Sequence, residues 1–219
     1  KWGEVLRSFN DVIKYAKERG PKTISVACSQ DKEVLMAVDI AKREGIAKAI
    51  LVGDIEKTKS IANELNIDLS EYELIEEKDL AKASLKAVSL VSEGKADMVM
   101  KGLVDTSIIL KAVLDKEVGL RTGNILSHVA VFDVKGYDRL FFITDAAMNL
   151  APDLKSKKQI IENACVVTNA LDIEIPKVAV VCAKEKVNPK MPDTVDAKNL
   201  EDMCKNGEIK GCIVGGPFA

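Results

Sequence analysis

The stretch KGLVDTS, Lys101 to Ser107, sets a cation, a glycine and two adjacent hydroxyls where an apolar run gives way to helical spacing. Such a junction can hold an anion. Gly102 permits close backbone approach, Thr106 and Ser107 offer hydroxyls, and the first turn of a helix offers N–H groups with no intrahelical partner. The same residues also read as a glycine turn followed by an N-capping threonine, and this stretch taken by itself leaves both readings open.

A second set follows in GLRTGNILSH. Arg121 has a planar fork suited to phosphate oxygens, with Thr122, Gly123, Ser127 and His128 close behind in the chain. A solvated loop arginine and a hydrogen-bonded structural histidine are the alternatives. Further on, Asp145 stands just past the apolar run RLFFIT, and Asn188, Lys190 and Asp193 stand past KVAVVCA. Loops after strands are where open α/β sheets assemble sites, although Asp and Asn in such loops also serve as caps and turn formers.

Other chemistries are excluded. The chain has neither GxGxxG nor GxxxxGK[ST], so the common dinucleotide and P-loop fingerprints are missing. His128 is the single histidine, which rules out HExxH and multi-histidine metal centres, and no GxSxG elbow accompanies it. No metal site is expected. The five cysteines, Cys28, Cys165, Cys182, Cys204 and Cys212, lie far apart without a CxxC pair and read as reduced core residues.

Among 219 residues, 32 basic and 34 acidic side chains nearly cancel, so no strong field favours nucleic acid or an anionic membrane. No run approaches the roughly 20 apolar residues that a membrane span requires. With no hydrophobic leader at the N-terminus, the expectation is a soluble, unexported, cytoplasmic protein.

The elements that must position these residues follow from periodicity. Trp2 to Arg19 has helical spacing and ends at Gly20-Pro21. Strands are predicted over 23–28, 49–53, 72–75 and 96–100, with helices over 31–45, 54–65 and 78–92 between them. Strands alternating with helices predict βαβ units and a mostly parallel sheet. After Gly119 the pattern changes: 125–134 and 139–145 flank Gly136-Tyr137-Asp138 as a β-hairpin, which marks a second domain. A helix over 154–171, a strand over 177–183, a helix over 196–204 and a strand over 212–216 complete the prediction. A stop just past a strand end and a start without methionine lead to the expectation that one or both termini are missing.

Taken together, KADMVMKGLVDTS, KEVGLRTGNILSHVAVF, RLFFITDAAMN, PKVAVVCAKEKVNPKMPDT and GEIKGCIVGGPFA resemble successive blocks of the phosphate acetyl/butyryltransferase family. SVACSQDKEVLMAVDIAKREGIAKAILVGD resembles its N-terminal region. The resemblance implies an enzyme that reversibly transfers a short acyl group between coenzyme A and inorganic phosphate by direct displacement. Butyryl is the favoured group. The alternatives are an acetyl-specific enzyme, or a non-catalytic binder of CoA or acyl phosphate should the chain naturally end at Ala219.

The implied fold is α/β, a two-domain isocitrate/isopropylmalate dehydrogenase-like architecture with mostly parallel sheets lacking its C-terminal segment. Residues 1–124 form the first domain, normally completed by that segment, and 125–219 the second. Homodimers or higher homo-oligomers, CoA as substrate and product, and no tightly bound cofactor are implied too. In acetyl-specific relatives an arginine falls near Lys111, which adds this lysine to the substrate-binding set of Lys101, Gly102, Thr106, Ser107, Arg121, Thr122, Gly123, Ser127, His128, Asp145, Asn188 and Lys190. Gly215 stands where many relatives carry an aspartate. The family's Ser-Arg pair and catalytic aspartate are expected beyond Ala219, so no residue of this chain is assigned as the catalytic base.

Overall fold

The computed structural model describes residues 5–219. The chain divides into two compact units, Ile13–Gly123 and a second that joins the segment up to Val12 to Asn124–Ala219.

In the first unit β1 (Lys22–Ala27), α2 (Lys32–Arg43), β2 (Ala47–Gly53), α3 (Ile55–Glu64), β3 (Glu73–Glu76), α4 (Leu80–Ser92), β4 (Met98–Lys101) and α5 (Thr106–Val113) alternate along the chain. The strands form one parallel sheet in the order β3-β2-β1-β4. Side chains of β1 and β2 point to opposite faces in turn, and both faces are covered. Ile24, Val26, Ala49 and Leu51 enter a core with Leu35 and Val38 of α2, whereas Ala27, Ile50 and Val52 enter one with Ala83, Ala87 and Val88 of α4. Double coverage is why these strands read as unbroken apolar runs rather than alternating ones. Each fully buried leucine or valine here contributes about 1.5–3 kcal/mol.

Aspartates start the helices. Asp31, Asp54 and Asp79 each accept the backbone N–H three residues on, from Val34, Lys57 and Lys82. In the second unit Asp153 does the same for α6 (Leu154–Ala170), through Ser156. These caps satisfy donors that a helix start would otherwise leave bare.

The second unit holds the antiparallel hairpin of β5 (Val129–Asp133) and β6 (Leu140–Thr144), and the parallel pair of β7 (Lys177–Val181) and β8 (Ile213–Phe218). Its core gathers Ile161 and Cys165 of α6, Leu200 of α7 (Pro192–Lys205), and Ile209, Cys212 and Val214. The five cysteines are free thiols; Cys28, Cys165 and Cys212 are buried, and Cys182 and Cys204 are partly so. Burial pushes the Cys212 thiol up to about 12.

Three boundaries differ from expectation by more than two residues. The first helix, α1, runs Phe9–Arg19, and the predicted start at Trp2 lies outside the described residues. Its entry is a capping box in which Ser8 Oγ accepts the Asp11 N–H and Asp11 accepts the Ser8 N–H. Helix α7 starts a turn before the predicted 196, with a proline in its first turn, where the missing N–H costs nothing. The hairpin ladder starts at Val129, not Ile125, because side chains hold residues 125–128 in place of a partner strand.

Candidate functional site

In the first unit β1 and β4 pair with Ala27 opposite Lys101, and the ladder continues one step into the loop. The Gly102 N–H donates to Ala27 O at 2.8 Å, and the Leu103 N–H to Cys28 O at 2.8 Å. Cys28 itself is left-handed, with φ 62°. A β-carbon on Gly102 would lie 2.2 Å from the Cys28 carbonyl oxygen and 2.6 Å from that of Ala27, so only glycine fits. The Lys101 ammonium turns back onto the same loop, donating to Val104 O at 2.8 Å and Gly102 O at 3.4 Å. It braces the turn from which α5 departs.

Helix α5 begins differently from its neighbours. Asp105 occupies the N-cap position without making a side-chain cap bond. Thr106 and Ser107 are exposed in the first turn, and Lys111, also exposed, lies one turn beyond Ser107 on the same side. The following segment folds back: Leu120 N–H donates to Val113 O, and Asp115 accepts the N–H groups of Glu117 and Val118. Gly119 is pressed against Asp115 and Val113, where a β-carbon would meet the Asp115 carbonyl oxygen at 2.4 Å. Arg121, Thr122 and Gly123 follow this turn, all exposed, with Gly123 at φ 89°. Two hydroxyls, a helix start, a lysine and an arginine are thus carried on one connected stretch, a donor set without a competing cap.

In the second unit the segment Ile125–His128 is gripped by side chains. Ile125 N–H donates to Gln159 Oε1 at 2.8 Å, while Asn163 Nδ2 donates to Ile125 O at 3.1 Å and to Ser127 Oγ at 2.9 Å. Asn149 Nδ2 donates to Leu126 O at 3.0 Å, and Thr144 Oγ1 to His128 O at 2.7 Å. The carbonyls of residues 125, 126 and 128 are all taken. His128 Nδ1 is buried without a partner among the described residues.

Asp145 closes the loop after β6. Its carboxylate accepts the Ala147 and Met148 N–H groups, each at 2.9 Å, and the Asn149 amide at 2.6 Å. Burial by itself would raise its pKa, but the Met148 and Ala147 N–H groups, the Asn149 amide and the His128 backbone N–H together bring it down to about 2. A carboxylate held so far below neutrality is a poor proton acceptor, and its oxygens are already occupied by donors of its own loop and by the His128 backbone. Beside it, Met148, Asn149, Leu150, Pro152 and Ser156 line a shallow cavity of about 390 Å³.

Asn188 and Lys190 belong to a different turn. Asn188 Oδ1 accepts the Lys190 N–H, its own N–H donates to buried Thr194 Oγ1, and Thr194 Oγ1 donates to Met191 O at 2.8 Å. Among the described residues these bonds close the turn upon itself and do not join Ser127, His128 or Asp145. Asp193 accepts from Lys157, which also meets Asp196 at 2.7 Å and ties α6 to α7. Gln159, Asn163, Asn149, Thr194 and Lys157 were not marked by the sequence. Each acts on a partner many residues away or through a turn not visible beforehand. Among the described residues no group of three or more His, Cys, Asp and Glu could hold a metal ion, and no helix is long and apolar enough to cross a membrane.

The family model described as phosphate acetyl/butaryl transferase matches residues 8–83 and 75–219. The chain is 53% identical to a phosphate butyryltransferase of Clostridium acetobutylicum, over 98% of this chain and 71% of that protein. It is 39% identical to a phosphate acetyltransferase of Thermotoga maritima, over 95% of this chain and 70% of that one. Among solved structures, a branched-chain phosphotransacylase from Enterococcus faecalis superposes with a TM-score of 0.76 at 32% identity, covering 90% of this chain and 68% of the other. The family-model match and these likenesses agree: the chain belongs to the phosphate acetyl/butaryl transferase family.

Proposed function

We propose that this protein is an acyltransferase that moves a short acyl group, butyryl in preference to acetyl, reversibly between coenzyme A and inorganic phosphate. What carries the reading is 53% identity to a phosphate butyryltransferase, against 39% to a phosphate acetyltransferase. In the forward direction a phosphate oxygen attacks the thioester carbonyl carbon, the carbon–sulfur bond breaks, and CoA leaves as a thiolate that takes up a proton. No acyl-enzyme is needed when both substrates are bound together.

The demand on the protein is to hold phosphate oxygens and the developing carbonyl oxyanion. Thr106, Ser107, the α5 start, Lys111, Arg121 and Thr122 are the groups we assign to anionic oxygens. Lys101 and Gly102 shape the turn that presents them, and Gly123 the turn that follows. Ser127 and His128 are assigned to the substrate as well. Asp145, Asn188 and Lys190 remain part of the proposed site as residues that shape its loops. The architecture we propose is the two-domain isocitrate/isopropylmalate dehydrogenase type, in a cytoplasmic homo-oligomer that uses CoA as substrate and product.

The test is phosphate-dependent CoA release by the complete protein, with butyryl-CoA and acetyl-CoA compared. Two methylenes separate the substrates, each worth about 1–3 kcal/mol of discrimination in an apolar pocket. Higher kcat/KM for butyryl-CoA is expected. Higher kcat/KM for acetyl-CoA replaces butyryl with acetyl, and no release from either rejects acyl transfer.

A further inference from the structure

Ser127 has one hydroxyl proton and two lone pairs, and one lone pair is already engaged by Asn163 Nδ2 at 2.9 Å. The orientation of the Asn163 amide is not arbitrary. Its second N–H goes to Ile125 O at 3.1 Å, a carbonyl that can only accept, so nitrogen and not oxygen must face the segment. Asn149 repeats the device, with one N–H on Leu126 O and the other on Asp145 Oδ2, both acceptors only. With Gln159 on the Ile125 N–H and Thr144 on the His128 carbonyl, the backbone around Ser127 is fixed from four separate side chains.

We propose that Asn163 is a positioning residue: by donating to Ser127 Oγ it turns the Ser127 hydroxyl into an outward hydrogen-bond donor for a substrate oxygen. Because Nδ2 approaches Ser127 Oγ as a donor, the hydroxyl proton cannot point at it and must point elsewhere. Among the described residues it meets no protein acceptor. The neighbouring carbonyls of Ile125, Leu126 and His128 each accept a side-chain hydrogen bond, which holds in place the segment that carries this donor. The complement of such a spot is an electron-rich oxygen, either of phosphate or of the thioester carbonyl. The naming of those two oxygens rests on the acyl-transfer reading; the donor itself does not.

The experiment compares the complete wild-type protein with S127A, N163D and S127A/N163D. In N163D a carboxylate replaces the amide and accepts the Ser127 proton, turning the donor inward. S127A and N163D are each expected to lower kcat/KM by about 10- to 100-fold. The double variant should stay within about twofold of S127A, because one hydrogen bond is lost only once. A rise in KM for phosphate identifies phosphate as the acceptor, whereas a fall in kcat at unchanged KM identifies the thioester oxyanion. Losses that multiply in the double variant overturn the inference, as does N163D with wild-type kinetics. Should N163D fail to fold, N163A takes its place in the same cycle.

Wild type without turnover rejects acyl transfer instead. The same proteins are then titrated calorimetrically with inorganic phosphate and with butyryl-CoA. Matching weakening in S127A and N163D sustains the inference; weakening in S127A alone, or no difference among the proteins, overturns it.

Discussion

Gly102 lies so close to Cys28 that a β-carbon at residue 102 would sit 2.2 Å from the Cys28 carbonyl oxygen. The obstacle is backbone of a buried residue, already bonded to the Leu103 N–H, so it cannot swing aside. Gly102→Ala should therefore cost about 3 kcal/mol or more in urea unfolding, at the upper end of what overpacking does. Gly94→Ala serves as the control. Gly94 has φ 74° with nothing within 4 Å of a built β-carbon, so its cost should be about 1–2 kcal/mol from the left-handed backbone alone. Equal costs at the two positions would mean that the β1–β4 end yields more readily than its hydrogen bonds indicate.

Thr106 is exposed at the α5 start, where the neighbouring Asp105 makes no cap bond. Thr106→Val keeps the shape and removes the hydroxyl. If that hydroxyl meets a phosphate oxygen, kcat/KM should fall by the equivalent of about 1.5–3 kcal/mol while the thermal midpoint hardly moves. Unchanged kinetics would return Thr106 to the role of an ordinary first-turn residue.

Acid should loosen the loop after β6. Asp145 titrates at about 2 in the folded protein against 3.8 ordinarily, so its contribution to stability is complete above pH 4. It is lost as the pH falls from about 4 to 2, because the unfolded chain takes up the proton first. Asp145→Asn should be less stable at pH 7 by about 1–3 kcal/mol, since an amide cannot accept from three donors as a carboxylate does. Its unfolding midpoint should also vary less than that of wild type over pH 4 to 2. Parallel curves for the two proteins would refute the assignment.

Much of the first unit was legible in the chain. SVAC and AILVG are apolar without alternation because β1 and β2 have helices on both faces, and Asp31, Asp54 and Asp79 stand where caps belong. What could not be read was the reach of side chains. Ile125 to His128 has strand composition, yet its partners are Gln159, Asn163, Asn149 and Thr144, three of them outside any strand. Lys101 reads in the sequence only as a cation, whereas in the fold its ammonium donates to the Val104 carbonyl. The position of Asn188 and Lys190 after a strand suggests a ligand loop, whereas Asn188 spends its groups on the turn that holds Thr194. Periodicity encodes which face is buried; it does not encode which carbonyl a distant amide will find.

The double coverage of β1 and β2 also bears on how variants of this protein should be interpreted. Along residues 24–27 and 49–52 nearly every side chain enters one core or the other, so no outward position exists where a polar residue is free of cost. A saturation screen scored on growth or turnover will register intolerance there for reasons of folding alone. Thr106, Ser107 and Arg121 face solvent and fill no core, so loss of activity at those three, with protein abundance unchanged, is where such a screen would report on chemistry.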